Sequence, residues 1–232
     1  MKISKDLIKN DVPASGQLKD NDCVSFTLTD GADIKILFLG NSITRHGAAE
    51  NLGWFGDWGM AASCKENDYV HRVVKMLEAK GLRVSYCIAN LSEWERTLDK
   101  SLLKNRYAVA HGFTADIAVV RLGENAGLAE NLNVFIPCYC EMVNYFAESG
   151  ARIILTDLFW QYEPFDGFVQ KFAKEKSYGF VQIHDLGDCD EMKALKQFDH
   201  KGVAAHPGDK GMEEIANRIY KEIERIFDFR GD

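Results

Sequence analysis

A chain of 232 residues has room for one large domain, and its 46% hydrophobic and 27% charged composition is that of a globular protein, neither disordered nor collagenous. A net charge of -7, from 35 acidic against 28 basic residues, disfavours nucleic acid and anionic membrane surfaces as partners, both of which need basic patches. No apolar run reaches the ~18 residues of a spanning helix. The opening MKISKDLIKND lacks the apolar core of a secretion signal, so a soluble cytoplasmic protein is expected, exported only if a signal peptide has been removed.

Residues 1–33 are a polar lead-in punctuated by Pro13, Gly16 and Gly31, with one alternating run, CVSFTLT, that reads as an added edge strand. The domain proper is 34–232. Within it, apolar runs bounded by turn signals predict buried strands: IKILFLG (34–40), RVSYCIAN (83–90), DIAVVRLG (116–123), ARIILTD (151–157) and GFVQIHDL (179–186). Helical periodicity falls between and after them, at 67–80, 92–104, 133–149, 166–177 and 209–227. This alternation predicts an α/β fold: a three-layer α/β/α doubly wound parallel sheet of flavodoxin-like order. Such sheets bind ligands beyond the carboxyl ends of their strands, where strand order reverses.

The six cysteines (Cys23, Cys64, Cys87, Cys138, Cys140, Cys189) are scattered without CxxC spacing and are expected to be reduced and structural, with no zinc site. The longest unassigned segment, 41–66, carries Trp54, Phe55 and Trp58, and a loop of that length with that content points to function. Trp54 and Trp58 divide between two readings: an aromatic wall for a sugar ring, or side chains pinning the loop.

Two segments carry chemistry. Phe38-Leu39-Gly40-Asn41-Ser42-Ile43-Thr44 places a serine just past the first core strand, where a sharp turn exposes its hydroxyl beside backbone N–H groups; the plainer alternative is a turn capped by Asn41 and Ser42. Ala205-His206-Pro207-Gly208-Asp209 sets a histidine in the loop before the last helix, while Asp199, His200 and Lys201 read as surface.

Taken together, these two blocks resemble the SGNH (GDSL-like) hydrolases, whose first block is a serine motif after the first strand and whose last is DxxH before the final helix. Gly123-Glu124-Asn125 is similar to the family's GxN block, and Asn90-Leu91-Ser92 stands where the family has Asn-x-Gly. The resemblance spans 36–212. It implies Ser42 as nucleophile, His206 as general base, and an oxyanion site made of the Ser42 and Ser92 N–H groups with the Asn125 amide. It also implies acyl transfer without metal or organic cofactor on a small-molecule or carbohydrate ester. The expected acyl group is short, acetyl above all, by family analogy and the aromatic loop. Alternatives are a lysophospholipase- or thioesterase-type enzyme, a catalytically silent carbohydrate-binding relative, and a flavodoxin-like cofactor protein.

Two positions depart from the family pattern. Val203 stands where the triad aspartate is usual, and Ala126 follows Asn125 in place of another aspartate. His206 is therefore expected to lean on a main-chain carbonyl in 202–204, that of Val203 first, with Asp199 as the rival acid. Asn41, Asn90 and Glu124 are carried as substrate-side candidates. Glu95 is read first as a helix-surface carboxylate and second as a contact to the active-site loops. His71 and His184 are read as structural or solvated.

Overall fold

In a strand successive side chains point to opposite faces, so an unbroken run of apolar residues must be covered on both sides. The computed structural model describes residues 23–227 and has that arrangement. Six strands, β1 (Val24–Thr27), β2 (Ile34–Gly40), β3 (Val84–Asn90), β4 (Ile117–Val120), β5 (Arg152–Thr156) and β6 (Gly179–Val181), form one sheet in the order β1-β3-β2-β4-β5-β6. All neighbours are parallel except β1, which runs antiparallel to β3 at the edge, with Val24 opposite Ala89. Without β1 the order is the flavodoxin-like one. Pro13 and Gly16 of the lead-in lie outside the described residues.

The helices are α1 (Tyr69–Ala79), α2 (Ser92–Thr97), α3 (Ser101–Lys104), α4 (Ala108–His111), α5 (Leu128–Ala147), α6 (Glu163–Lys176), α7 (His184–Gly187), α8 (Lys201–Ala204) and α9 (Asp209–Ile226). Ile36, Phe38 and Val119 face Val73 and Leu77 of α1 and Ile215, Ile219 and Ile223 of α9. Leu37, Leu39 and Val120 face the other way, onto Phe135, Tyr139 and Phe146 of α5 and Phe165 and Val169 of α6. Each such side chain contributes about 1.5–3 kcal/mol through burial. Among the described residues no helix is long and apolar enough to cross a membrane.

Several expected boundaries move. The helix expected over 92–104 breaks at Leu98, whose φ of 54° is left-handed, and resumes as α3. The last strand stops at Val181, because Asp157 accepts the N–H groups of Ile183 and His184 and turns the chain into α7. The 41–66 segment is an ordered flap. Ala49 and Trp54 exchange backbone hydrogen bonds, His46 N–H reaches Trp58 O at 2.9 Å, and Arg45 pairs with Asp57. Its far end is moored to the start of α9, where Asp209 accepts Ser63 N–H at 2.8 Å, Ser63 Oγ at 2.6 Å and Asn67 Nδ2 at 3.0 Å.

Candidate active site

At the carboxyl end of β2 the chain reverses sharply, Thr44 N–H and Arg45 N–H both returning to Asn41 O at 2.9 and 3.0 Å. Gly40 makes this possible: a Cβ there would lie 1.7 Å from Thr44 Oγ1. The turn brings Ser42 Oγ to 2.8 Å from His206 Nε2, across 164 residues of sequence.

His206 Nδ1 lies 2.6 Å from the Gly202 carbonyl. A carbonyl only accepts, so Nδ1 carries the proton and Nε2 turns its lone pair to the serine hydroxyl. Burial drives the imidazole's pKa down to about 3, outweighing the Gly202 contact, with repulsion from His46, Arg121 and His200 adding to it. The base is thus neutral in the resting protein.

The acceptor is Gly202 and not Val203, whose carbonyl instead accepts the His206 backbone N–H at 3.0 Å. The Val203 side chain is fully buried beside Trp54 and Met60 in an apolar cluster where a carboxylate would lack partners. Asp199 is exposed, and both ring nitrogens of His206 already face other groups, Nδ1 the Gly202 carbonyl and Nε2 the Ser42 hydroxyl.

Ser42, Glu124, Asn125, Trp160, Gly202, Ala205 and His206 line a cavity of about 250 Å³. Trp160 was not anticipated; it stands edge-on to His206, ring centroids 5.1 Å apart. The signal for it was its place just past ARIILTD, at a strand's carboxyl end. Ser92 is not brought to the cavity lining: its N–H donates to Asn90 Oδ1 at 2.9 Å, closing a local turn. The Ser42 N–H has no acceptor among the described residues, and the Asn125 amide has one hydrogen committed to Glu95 Oε2 at 2.7 Å and one left over.

Other candidates prove to be framework. Asn90 Nδ2 donates to Arg45 O at 2.7 Å, joining the β3 end to the flap. Trp54 is buried, its Nε1–H on His46 O at 3.0 Å, and Trp58 Nε1–H is on Ala62 O at 2.9 Å; both pin the flap and neither lines the cavity. Asn41 is buried and faces inward, donating to Glu95 and Glu124 and accepting from Arg121. Glu95 is no surface carboxylate: it is 1% exposed, beneath the Asn125 loop. Glu124 does reach the cavity, but its carboxylate is paired with Arg121. His71 and His184 are held by Asp68 and Asp157, each at 2.7 Å, and neither lines the cavity.

The architecture is the three-layer α/β/α fold of the SGNH hydrolases. No family model matches the sequence, and no curated protein does. Among solved structures the chain is similar to the psychrotrophic esterase EstA from Pseudoalteromonas sp., in a structure inhibited by monoethylphosphonate, with TM-score 0.58 and 17% identity over 83% of this chain and 98% of that one. It is also similar to TesA, with TM-score 0.51 and 16% identity over 83% of this chain and 99% of that one.

Proposed function

We propose that this protein is a serine ester hydrolase. The observation that carries the reading is the Ser42 Oγ–His206 Nε2 contact of 2.8 Å with the imidazole oriented from behind by Gly202 O at 2.6 Å. Ser42 Oγ attacks the ester carbonyl as its proton passes to His206 Nε2. The tetrahedral oxyanion is held by the Ser42 N–H and the uncommitted hydrogen of the Asn125 amide, each worth about 3 kcal/mol. The intermediate collapses as His206 returns the proton to the leaving alcohol, and water, activated by the same imidazole, releases the acid from the acyl-enzyme.

The substrate side is a short acyl ester, acetyl first, on a carbohydrate. Its support is the modest cavity, below the usual ~300–1,000 Å³ of sites for larger ligands, with Glu124 and Asn125 in its lining and a single tryptophan at which a sugar ring can stack. Fluorophosphonate labelling tests the activated serine directly: wild type should be modified at Ser42 and Ser42→Ala should not. Assay against p-nitrophenyl esters and acetylated sugars then tests turnover and substrate together, and a wild type inert to both reagents would sink the reading.

A further inference from the structure

Below the cavity floor lies a buried cluster that the reaction steps above leave without a part: Arg121, Glu124, Asn41 and Glu95. α2 starts directly after β3, and Leu91 N–H on Gly40 O at 2.7 Å locks that start against the nucleophile turn, so Glu95 in the first turn of α2 points inward. Its carboxyl oxygens meet Asn41 Nδ2 at 3.2 and 3.3 Å, Asn125 Nδ2 at 2.7 Å, Asn125 N–H at 3.5 Å, and the Gly123 N–H. Every one of these neighbours is a donor. Gly123 itself is confined to glycine by its φ of 140° and by Leu158 and Phe165, where a Cβ would intrude at 2.6 and 2.8 Å.

We propose that Glu95 is the positioning residue of this site: as a carboxylate it is the all-acceptor hub that aims the Asn125 amide at the oxyanion and ties it, through Asn41, to the Ser42 turn. The inference rests on the hydrolase reading. An ionised carboxylate only accepts, which suits a ring of donors, whereas a protonated carboxyl must place an O–H against one of them. Protonation therefore breaks a contact that sets the oxyanion donor. The titratable and charged groups facing Glu95 are Arg121 and Glu124 from the loop after β4 and the Tyr139 hydroxyl from α5. Burial, then Glu124, raise Glu95 to about 7, against the Asn125, Gly123 and Arg121 contacts that lower it. Burial pushes His206 the other way, so loss of activity on acidification is the readout that protonation of Glu95 would give.

The test is Glu95→Gln in the full chain, which keeps shape but brings an NH2 into the ring of donors. Rates on p-nitrophenyl acetate from pH 4 to 8, and fluorophosphonate labelling, give kcat, KM and the pH profile. The expected result is kcat down about a hundredfold, as for loss of an oxyanion donor, KM changed less than about threefold, and the acid limb near neutrality gone. In an Asn125→Ala background the same change should cost almost nothing more, since both act through one amide. Glu95→Gln with wild-type kcat and an unmoved limb, or losses that simply add in the double variant, would overturn the assignment. Should Glu95→Gln fail to fold by circular dichroism, Glu95→Asp decides: it must lower kcat and keep a limb, and unchanged kcat overturns the proposal. An inert wild type takes down the hydrolase reading as well; an active one with these results takes down only the role of Glu95.

Discussion

The indole of Trp160 stands edge-on to the imidazole of His206, centroids 5.1 Å apart and planes at 81°. The indole is part of what keeps water from a ring whose burial holds it neutral. Trp160→Ala should let water in and raise the His206 pKa from about 3 toward the ordinary 6.5, read by NMR titration of the imidazole protons. An unshifted titration would mean that the indole contributes nothing to this burial.

Ser42→Ala and His206→Ala should each lower ester hydrolysis by about a thousandfold or more, and the double variant should lose little beyond either single one, because the two side chains act as a unit. Steady-state rates at saturating ester check this, and near-wild-type turnover in either variant would refute the dyad.

Asp199→Asn should change kcat/KM by less than about tenfold, because the Gly202 carbonyl already holds Nδ1. Loss of a true triad aspartate costs on the order of ten-thousandfold. A drop of a hundredfold or more with the fold intact would place Asp199 behind the imidazole in the working enzyme.

Acetyl esters should be cleaved faster than octanoyl esters, given a cavity of about 250 Å³ walled by Glu124, Asn125 and Trp160. A p-nitrophenyl series from two to twelve carbons measures it; rates climbing with chain length would point to a lipase-like site.

Stability should carry two opposed proton linkages. His206 binds fewer protons folded than unfolded between about 3 and 6.5, so acidification through that window removes stability, up to ~1.4 kcal/mol per pH unit. Glu95 holds its proton longer when folded, so its contribution is full below 4.5 and is lost as pH rises through about 7. From 4.5 to 6.5 the two slopes cancel. Glu95→Gln should therefore lose more stability than wild type on acidification across that window, measured by urea unfolding at three pH values. Parallel curves would refute the linkage.

How far residues announce their roles depended on where a strand ends. Ser42 and Asn125 were legible as candidates because each follows a strand whose apolar run stops at a glycine, and His206 because it precedes the periodic run of α9. Glu95 was not, because the sequence shows one helical period over 92–104, and only the left-handed Leu98 reveals that α2 is a separate short helix turned edge-in. Trp54 and Trp58 left two readings open, a binding wall or a pinned loop, and the second fits: their N–H groups are spent on His46 and Ala62 carbonyls inside the flap. The identity of the carbonyl behind His206 depended on which one the α8 turn presents to the ring, a matter of backbone geometry that residue types do not encode.

Asp209 bears on how this protein can be handled as well as how it is built. Through Ser63 and Asn67 it fastens the flap that follows the nucleophile to the helix that follows the base. Seating of α9 and placement of Ser42 opposite His206 are therefore linked through one carboxylate. On the hydrolase reading, ester turnover would report the docking of a single amphipathic helix. On that reading, a chain divided between β6 and His206 would regain turnover only on reassociation, with the helix itself as the switch.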